Sequence, residues 1–210
     1  MTSADFLLAA LFFVIATLYA SVGHAGASGY IAAMALMSMP AAVVKPTALA
    51  LNILVAGIGI ARFGRAGLVP WRLVLPFVLA SVPCAYLAAR LQLTALWYQR
   101  ILALVLLVAG AQLWRTAGQA VQDDASGRVT APPLWAALLS GAAIGVVSGL
   151  TGTGGAIFLT PLLLFAHWAP TRMASGASVV FVLGNSIAGL SGTAAALDRL
   201  PPQLPWWLAA

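Results

Sequence analysis

The chain has 210 residues, of which 62% are hydrophobic and only 7% charged, against roughly 25% charged in an average soluble domain; so little charge cannot cover the surface of a soluble domain, and that class is excluded. The net charge is +6, but the basic residues stand singly or in small groups between apolar runs, as in short loops beside a lipid bilayer, and no basic patch with interleaved aromatics points to nucleic acid. The single cysteine, Cys84, excludes an internal disulfide and a Cys-based zinc site.

The first apolar segment spans 6–22. Asp5 is the only charge before it, so it lacks the basic start of a signal peptide and reads as a membrane segment that stays. A second segment, 28–39, follows after Gly23-His24-Ala25-Gly26-Ala27. No Asp, Glu, Lys or Arg lies between Phe6 and Val44, so this is one uncharged stretch broken by a glycine-rich loop. Segments 46–61, 73–89 and 101–114 come next, with Pro76 and Pro83 bending the middle one, which membrane helices tolerate. The stretch 115–133 carries Arg115, Asp123, Asp124, Arg128 and Pro132-Pro133 and reads as a connecting loop. Segments 134–150 and 156–169 then flank a second break, Thr151-Gly152-Thr153-Gly154-Gly155, in a stretch uncharged from Val129 to Thr171. Segment 173–197 and a last helix from about 203 complete the chain. A full span needs about 20 residues, and several of these segments are shorter. Trp71, Trp97, Trp114, Trp135, Trp168, Trp206 and Trp207 all fall near segment ends, as in an interfacial aromatic belt.

The predicted fold class is all-α: a polytopic transmembrane helical bundle of two related halves, each with a Gly-broken helix. The first repeat is 1–114, the connecting loop 115–133 and the second repeat 134–210. In each half a break is followed by an apolar stretch, a proline (Pro40, Pro170), a cation (Lys45, Arg172), hydroxyls (Thr47; Ser175, Ser178) and an asparagine (Asn52, Asn185). Paired, Gly-interrupted segments of this kind mark secondary transporters, because irregular backbone at membrane depth is tolerated only where it is buried in protein or faces a polar cavity. If each broken segment is one crossing, the loops holding Arg62, Arg65, Arg72, Arg115, Arg128 and Arg199 share a side and favour a cytoplasmic N-terminus. If the breaks are re-entrant, that count changes and an inverted pair of halves becomes open.

The breaks are the first candidates for a binding site: Gly23, His24, Gly26, Ser28 and Gly29 in one half, and Thr151, Gly152, Thr153, Gly154 and Gly155 in the other. A break that opens a helix presents free N–H groups and a positive dipole end to an anion; the plainer reading is close helix packing through small residues. His24 either binds an anion when protonated, carries a coupling proton, or donates to a carbonyl of the broken loop. Lys45 and Arg172, placed just before their helices, either attract an anion or anchor the interface. Thr47, Asn52, Ser178 and Asn185 either line a pathway or hydrogen-bond between helices. Gly57, Gly59, Gly141 and Gly145 read as packing glycines, with Gly141→Ala expected to be milder for anion binding than Gly26→Val or Gly154→Val, and His167 reads as interfacial.

The segment Ser21-Val22-Gly23-His24-Ala25-Gly26-Ala27-Ser28-Gly29-Tyr30, followed by Lys45-Pro46-Thr47-Ala48-Leu49 and Asn52, resembles the first-half motif of the TauE/SafE family of sulfite exporters. Gly149-Leu150-Thr151-Gly152-Thr153-Gly154-Gly155, Pro161 and the Ala177-Ser178 to Asn185 stretch resemble its second-half motif, so the likeness covers most of the chain. It implies a multi-pass carrier of the bacterial inner membrane that exports sulfite, an organosulfonate or another small anion. Ala25 and Ala27 dilute the first glycine cluster relative to the family pattern. The family's second half should also continue through about two more helices, so the chain is expected to be a truncated member, or one completed by a homo-oligomer or a partner chain.

No catalytic constellation is present. There is no glutamate, no carboxylate pair at membrane depth, and no Lys-Ser/Thr after Gly149–Gly155 to make a phosphate-binding loop. Neither a cofactor nor a metal is expected. An intramembrane enzyme using His24 with Ser21, Ser28 or Ser148 lacks an orienting acid, and a non-transporting membrane subunit or scaffold is the other alternative to a carrier.

Overall fold

The computed structural model describes residues 3–21, 24–91, 94–117, 129–193, 201 and 203–209. Among them the fold is all-α: α1 (Ser3–Ser21), α2 (Ala27–Leu36), α3 (Ala41–Arg65), α4 (Trp71–Ala89), α5 (Ala95–Ala117), α6 (Leu134–Thr151), α7 (Ala156–Phe165), α8 (Thr171–Gly192) and α9 (Leu204–Ala209). By length and composition α3, α4, α6 and α8 are able to cross a membrane.

Both breaks fall where the glycines predict them, between α1 and α2 and between α6 and α7. Each reverses the chain. Gly29 of α2 abuts Ile15 of α1, and Tyr30 stacks edge-on against Phe12 with ring centroids 5.4 Å apart, so α2 runs back along α1. The Thr130 N–H before α6 donates to the carbonyl of Trp168 after α7 at 2.9 Å, so α7 returns to the end from which α6 set out. The breaks are therefore re-entrant hairpins, and the count of basic loops based on single crossings does not apply. A helix of ten residues, the length of α2 and of α7, is about 15 Å long, half of a hydrocarbon core.

Helices α3 and α8 form the axis between the hairpins. Leu49 packs against Gly189 and Gly59 against Val179, so the two run antiparallel. Each hairpin leads into the N-terminal end of its helix, α2 into α3 and α7 into α8. The hairpins therefore enter from opposite ends of the bundle. Around this axis α4 packs on α6 and α8, whereas α9 packs on α1 and α3.

The contact between α4 and α6 is unusually close. A Cβ at Gly141, Gly145 or Gly149 would meet the carbonyl oxygens of Phe77, Ser81 and Ala85 respectively at under 3.0 Å. The positions advance together by four residues on both helices, so these helices are parallel and touch backbone to side-chain stripe along their length. Gly141 is thus a packing glycine, and the methyl of Gly141→Ala would meet the Phe77 oxygen at 2.6 Å.

Gly57 departs from that reading. Nothing lies within 4 Å of the Cβ it lacks, so it is not a packing glycine. Because glycine in a helix interior is entropically unfavourable, Gly57→Ala is expected to stabilise the protein by about 0.5 kcal/mol. Thermal unfolding of the purified protein checks this, and a lowered midpoint would contradict it.

Three boundary and environment expectations also change. Helix α3 starts at Ala41, with Pro46 inside it, rather than at 46. Helix α5 starts at Ala95 rather than 101, with Leu96 and Trp97 exposed on its first turns. Trp207 is not interfacial: it is 3% exposed and packs edge-on against Phe12 at 5.6 Å, because α9 folds back onto the α1 side of the bundle. Trp71, Trp97, Trp135 and Trp206 are exposed, as a belt requires. Residues 118–128 of the predicted loop lie outside the described residues.

Candidate functional site

The second break is built from three left-handed glycines, Gly152, Gly154 and Gly155, with φ of 82°, 75° and 86°. Non-glycine residues rarely adopt this conformation, and there is no room for a side chain either. A Cβ at Gly152 would meet Lys45 Cγ at 2.9 Å, one at Gly154 would meet Asn52 Nδ2 at 2.8 Å, and one at Gly155 would meet Phe181 Cε1 at 2.8 Å. Thr151 and Thr153 serve the break itself. Their hydroxyls pair at 3.0 Å, and the Thr151 carbonyl accepts a 3.2 Å hydrogen bond from Tyr98 OH on α5. Gly155 is the N-cap of α7, and no side chain caps that helix. The first N–H groups of α7 therefore face the break with the positive end of the helix dipole.

Both predicted asparagines converge here. Asn185 Nδ2 donates to the Gly154 carbonyl at 3.4 Å, and Ser81 Oγ donates to Asn185 Oδ1 at 2.8 Å. Asn52 Nδ2 donates to Ser186 Oγ at 3.4 Å. Asn52, Ser81 and Ser186 are fully buried and Asn185 is 1% exposed. Asn52 Oδ1, Thr47 Oγ1 and Ser148 Oγ are buried with no hydrogen-bond partner. Such groups are costly unless something else satisfies them.

At the first break the Tyr30 hydroxyl is likewise buried with no hydrogen-bond partner. The His24 N–H donates to the Tyr19 carbonyl at 2.9 Å, and the His24 ring meets the Tyr19 ring edge-on at 6.3 Å. Ser28 Oγ donates to Tyr19 OH at 3.2 Å. Gly26, with φ of 91°, is the N-cap of α2, again without a side-chain cap. A Cβ there would meet the Tyr30 ring and hydroxyl at 2.9 Å. Gly29 serves the α1 contact. Gly23 lies outside the described residues. The two breaks meet through Ala25, Ala56, Ala156 and Val182, one buried cluster near the middle of α3 and α8.

The remaining candidates separate. Lys45 does not precede its helix; it lies in the second turn of α3, half-buried, and its Nζ donates to the Ala89 carbonyl at 3.5 Å. It thus places a cation at the C-terminal, negative end of α4 and lays its stem over Gly152. Arg172 is in the first turn of α8 and exposed, away from either break. Ser178 pairs with Thr160 of α7 at 2.6 Å, tying the hairpin to α8 rather than lining the break. Ser81 and Ser186 were not foreseen. A lone polar residue in an apolar helix was their only signal, and many serines share it. All four carboxylates, Asp5, Asp123, Asp124 and Asp198, lie outside α2–α4 and α6–α8. Among the described residues no group of three or more His, Cys, Asp or Glu gathers to hold a metal ion.

This arrangement offers backbone and amide donors, a positive helix end and a nearby lysine, and among the described residues no carboxylate lies on α2–α4 or α6–α8 to oppose an anion. The family model for Sulfite exporter TauE/SafE matches residues 8–210. A Sinorhizobium fredii protein described as "Probable membrane transporter protein y4hK" is 46% identical over 203 residues, covering 97% of this chain and 82% of that protein. No solved structure matches significantly.

Proposed function

The chain belongs to the TauE/SafE family of sulfite exporters, and from that premise we propose that it is a secondary carrier of a small anion, sulfite or an organosulfonate, in the bacterial inner membrane. The observation that carries this reading is the uncapped N-terminus of α7, set against two buried asparagines in a helical core without carboxylates. The description of the Sinorhizobium fredii relative as a membrane transporter supports transport rather than catalysis.

In this reading residues 1–114 and 134–210 are two related, inverted halves joined by 115–133. Three features support it: hairpins of like build, their entry from opposite ends, and the pairing of α4 with α6 and α8 against that of α9 with α1 and α3. Inverted halves place the substrate where the broken helices meet, and rocking of one half against the other exposes it to each side in turn.

Purified protein in liposomes should move sulfite or a small sulfonate down an imposed gradient. Empty liposomes and a Gly154→Val variant provide the controls. Absence of flux for every such anion would favour the non-transporting scaffold instead. Lys45 is expected to raise the local anion concentration at the break. Lys45→Gln should lower the apparent affinity by up to about tenfold at low ionic strength and less at high salt. Arg172→Gln, removing an exposed charge, should change it little. Equal effects of the two would remove Lys45 from the site.

A further inference from the structure

The second break contains a polar pair whose hydrogen-bonding capacity exceeds what the protein uses. Asn52 on α3 and Ser186 on α8 are both fully buried and share one 3.4 Å hydrogen bond. Both lie against Gly154: the Cβ that residue lacks would stand 2.8 Å from Asn52 Nδ2 and 3.4 Å from Ser186 Oγ. Asn52 Oδ1 has no partner.

An amide and a hydroxyl joined by one bond leave a defined remainder. With Nδ2 donating to the serine oxygen, the amide oxygen is a free acceptor and the serine O–H a free donor. With the amide turned over, the serine donates to the amide oxygen, its own oxygen remains a free acceptor, and Nδ2 is the free donor. Either way the pair presents an unused acceptor, alongside unused donors, to the same space. Asn185 is different: its amide oxygen accepts from Ser81 and its nitrogen donates to Gly154, so both ends are occupied.

A fully deprotonated oxyanion, or one whose remaining atoms are all apolar, uses only donors. It would leave the buried acceptor unpaired, a costly state. We infer that the Asn52–Ser186 pair selects small oxyanions that still carry an O–H or N–H donor, such as a monoprotonated inorganic anion or a hydroxylated or aminated sulfonate, over those that carry none. The inference rests on the proposed binding of the anion at this break. Charge argues the same way. Lys45, the cation whose stem lies over Gly152, already donates to the Ala89 carbonyl, and the desolvation cost of an ion grows steeply with its charge. A monoanion thus suits helix-end donors better than a dianion.

The test compares 2-hydroxyethanesulfonate with ethanesulfonate, two monoanions that differ by one hydroxyl, binding to the purified full chain by calorimetry in sodium-free buffer. The hydroxylated anion should bind between about five- and a hundredfold more tightly. Asn52→Leu, which removes the unpaired amide oxygen, should bring the ratio close to one, whereas Ser186→Ala, which leaves that oxygen in place, should keep the preference; an unchanged thermal midpoint of the leucine variant guards against a folding defect. Equal binding of both anions by the wild type would overturn the inference and leave the carrier reading standing. So would binding that needs added sodium and ignores the hydroxyl, since a cation would then occupy the acceptor. Binding of neither anion would overturn both.

Discussion

A valine at Gly149 is expected to leave no folded protein to purify. The space its side chain needs is filled by the backbone of Ala85, oxygen and Cα together. Overpacking among side chains typically costs about 1–3 kcal/mol, because rotamers and small shifts absorb part of it. A main-chain carbonyl inside a helix has no rotamer to change, so α4 as a whole must move off α6. That movement would also part Gly145 from Ser81 and Gly141 from Phe77, which lie on the same stripe. It would further pull Ser81 away from Asn185, whose oxygen accepts its 2.8 Å hydrogen bond. In a bilayer, where helices associate through close packing rather than through expulsion of water, the loss of such a contact is not made good elsewhere. Even Gly149→Ala should lower the thermal midpoint clearly, whereas Gly57→Ala should not. Size-exclusion profiles and unfolding curves in detergent read the series. A Gly149→Val protein with the wild-type midpoint would show that α4 and α6 do not meet there.

The other large effect is on binding. Gly154→Val should abolish anion binding in protein that still inserts and folds. The neighbours of the missing Cβ are ends of side chains, the Asn52 amide and a Val182 methyl, so the bundle yields locally. The φ of 75° costs an ordinary L-residue about 1–2 kcal/mol and a β-branched one more. Relief of that strain turns the peptide and re-aims the first N–H groups of α7, while the new methyls fill the space beside Asn52. Gly154→Ala, with less bulk, should weaken binding by about tenfold. Unchanged affinity in a folded Gly154→Val protein would place the anion elsewhere.

Much of this was legible in the sequence for definite physical reasons. Glycine clusters inside uncharged stretches mark where helices break, and both breaks lie there. Asn52 and Asn185, polar on apolar helices, proved to meet at one of them. The direction of the chain after each break was not legible, because α2 and α7 are apolar in either direction and only the contacts Tyr30–Phe12 and Thr130–Trp168 decide it. Nor was the division of the glycines. Gly57 and Gly141 look alike as letters, yet one faces open space and the other a carbonyl, a difference set by which helix lies opposite. Lys45 was misplaced by Pro46: a proline there suggests a helix start, whereas α3 begins a turn earlier and carries the proline within it.

The antiparallel axis of α3 and α8, with a hairpin entering from each end, bears on vectoriality. The proposed binding point, reached by like structures from both faces, favours neither direction of passage by its own construction. A carrier so built works as a reversible device, and direction is set by the forces across it. For one negative charge leaving a negatively polarised interior that force is about 2.3 kcal/mol per 100 mV. In the proposed anion carrier, the membrane voltage alone would then keep such an anion scarce inside the cell.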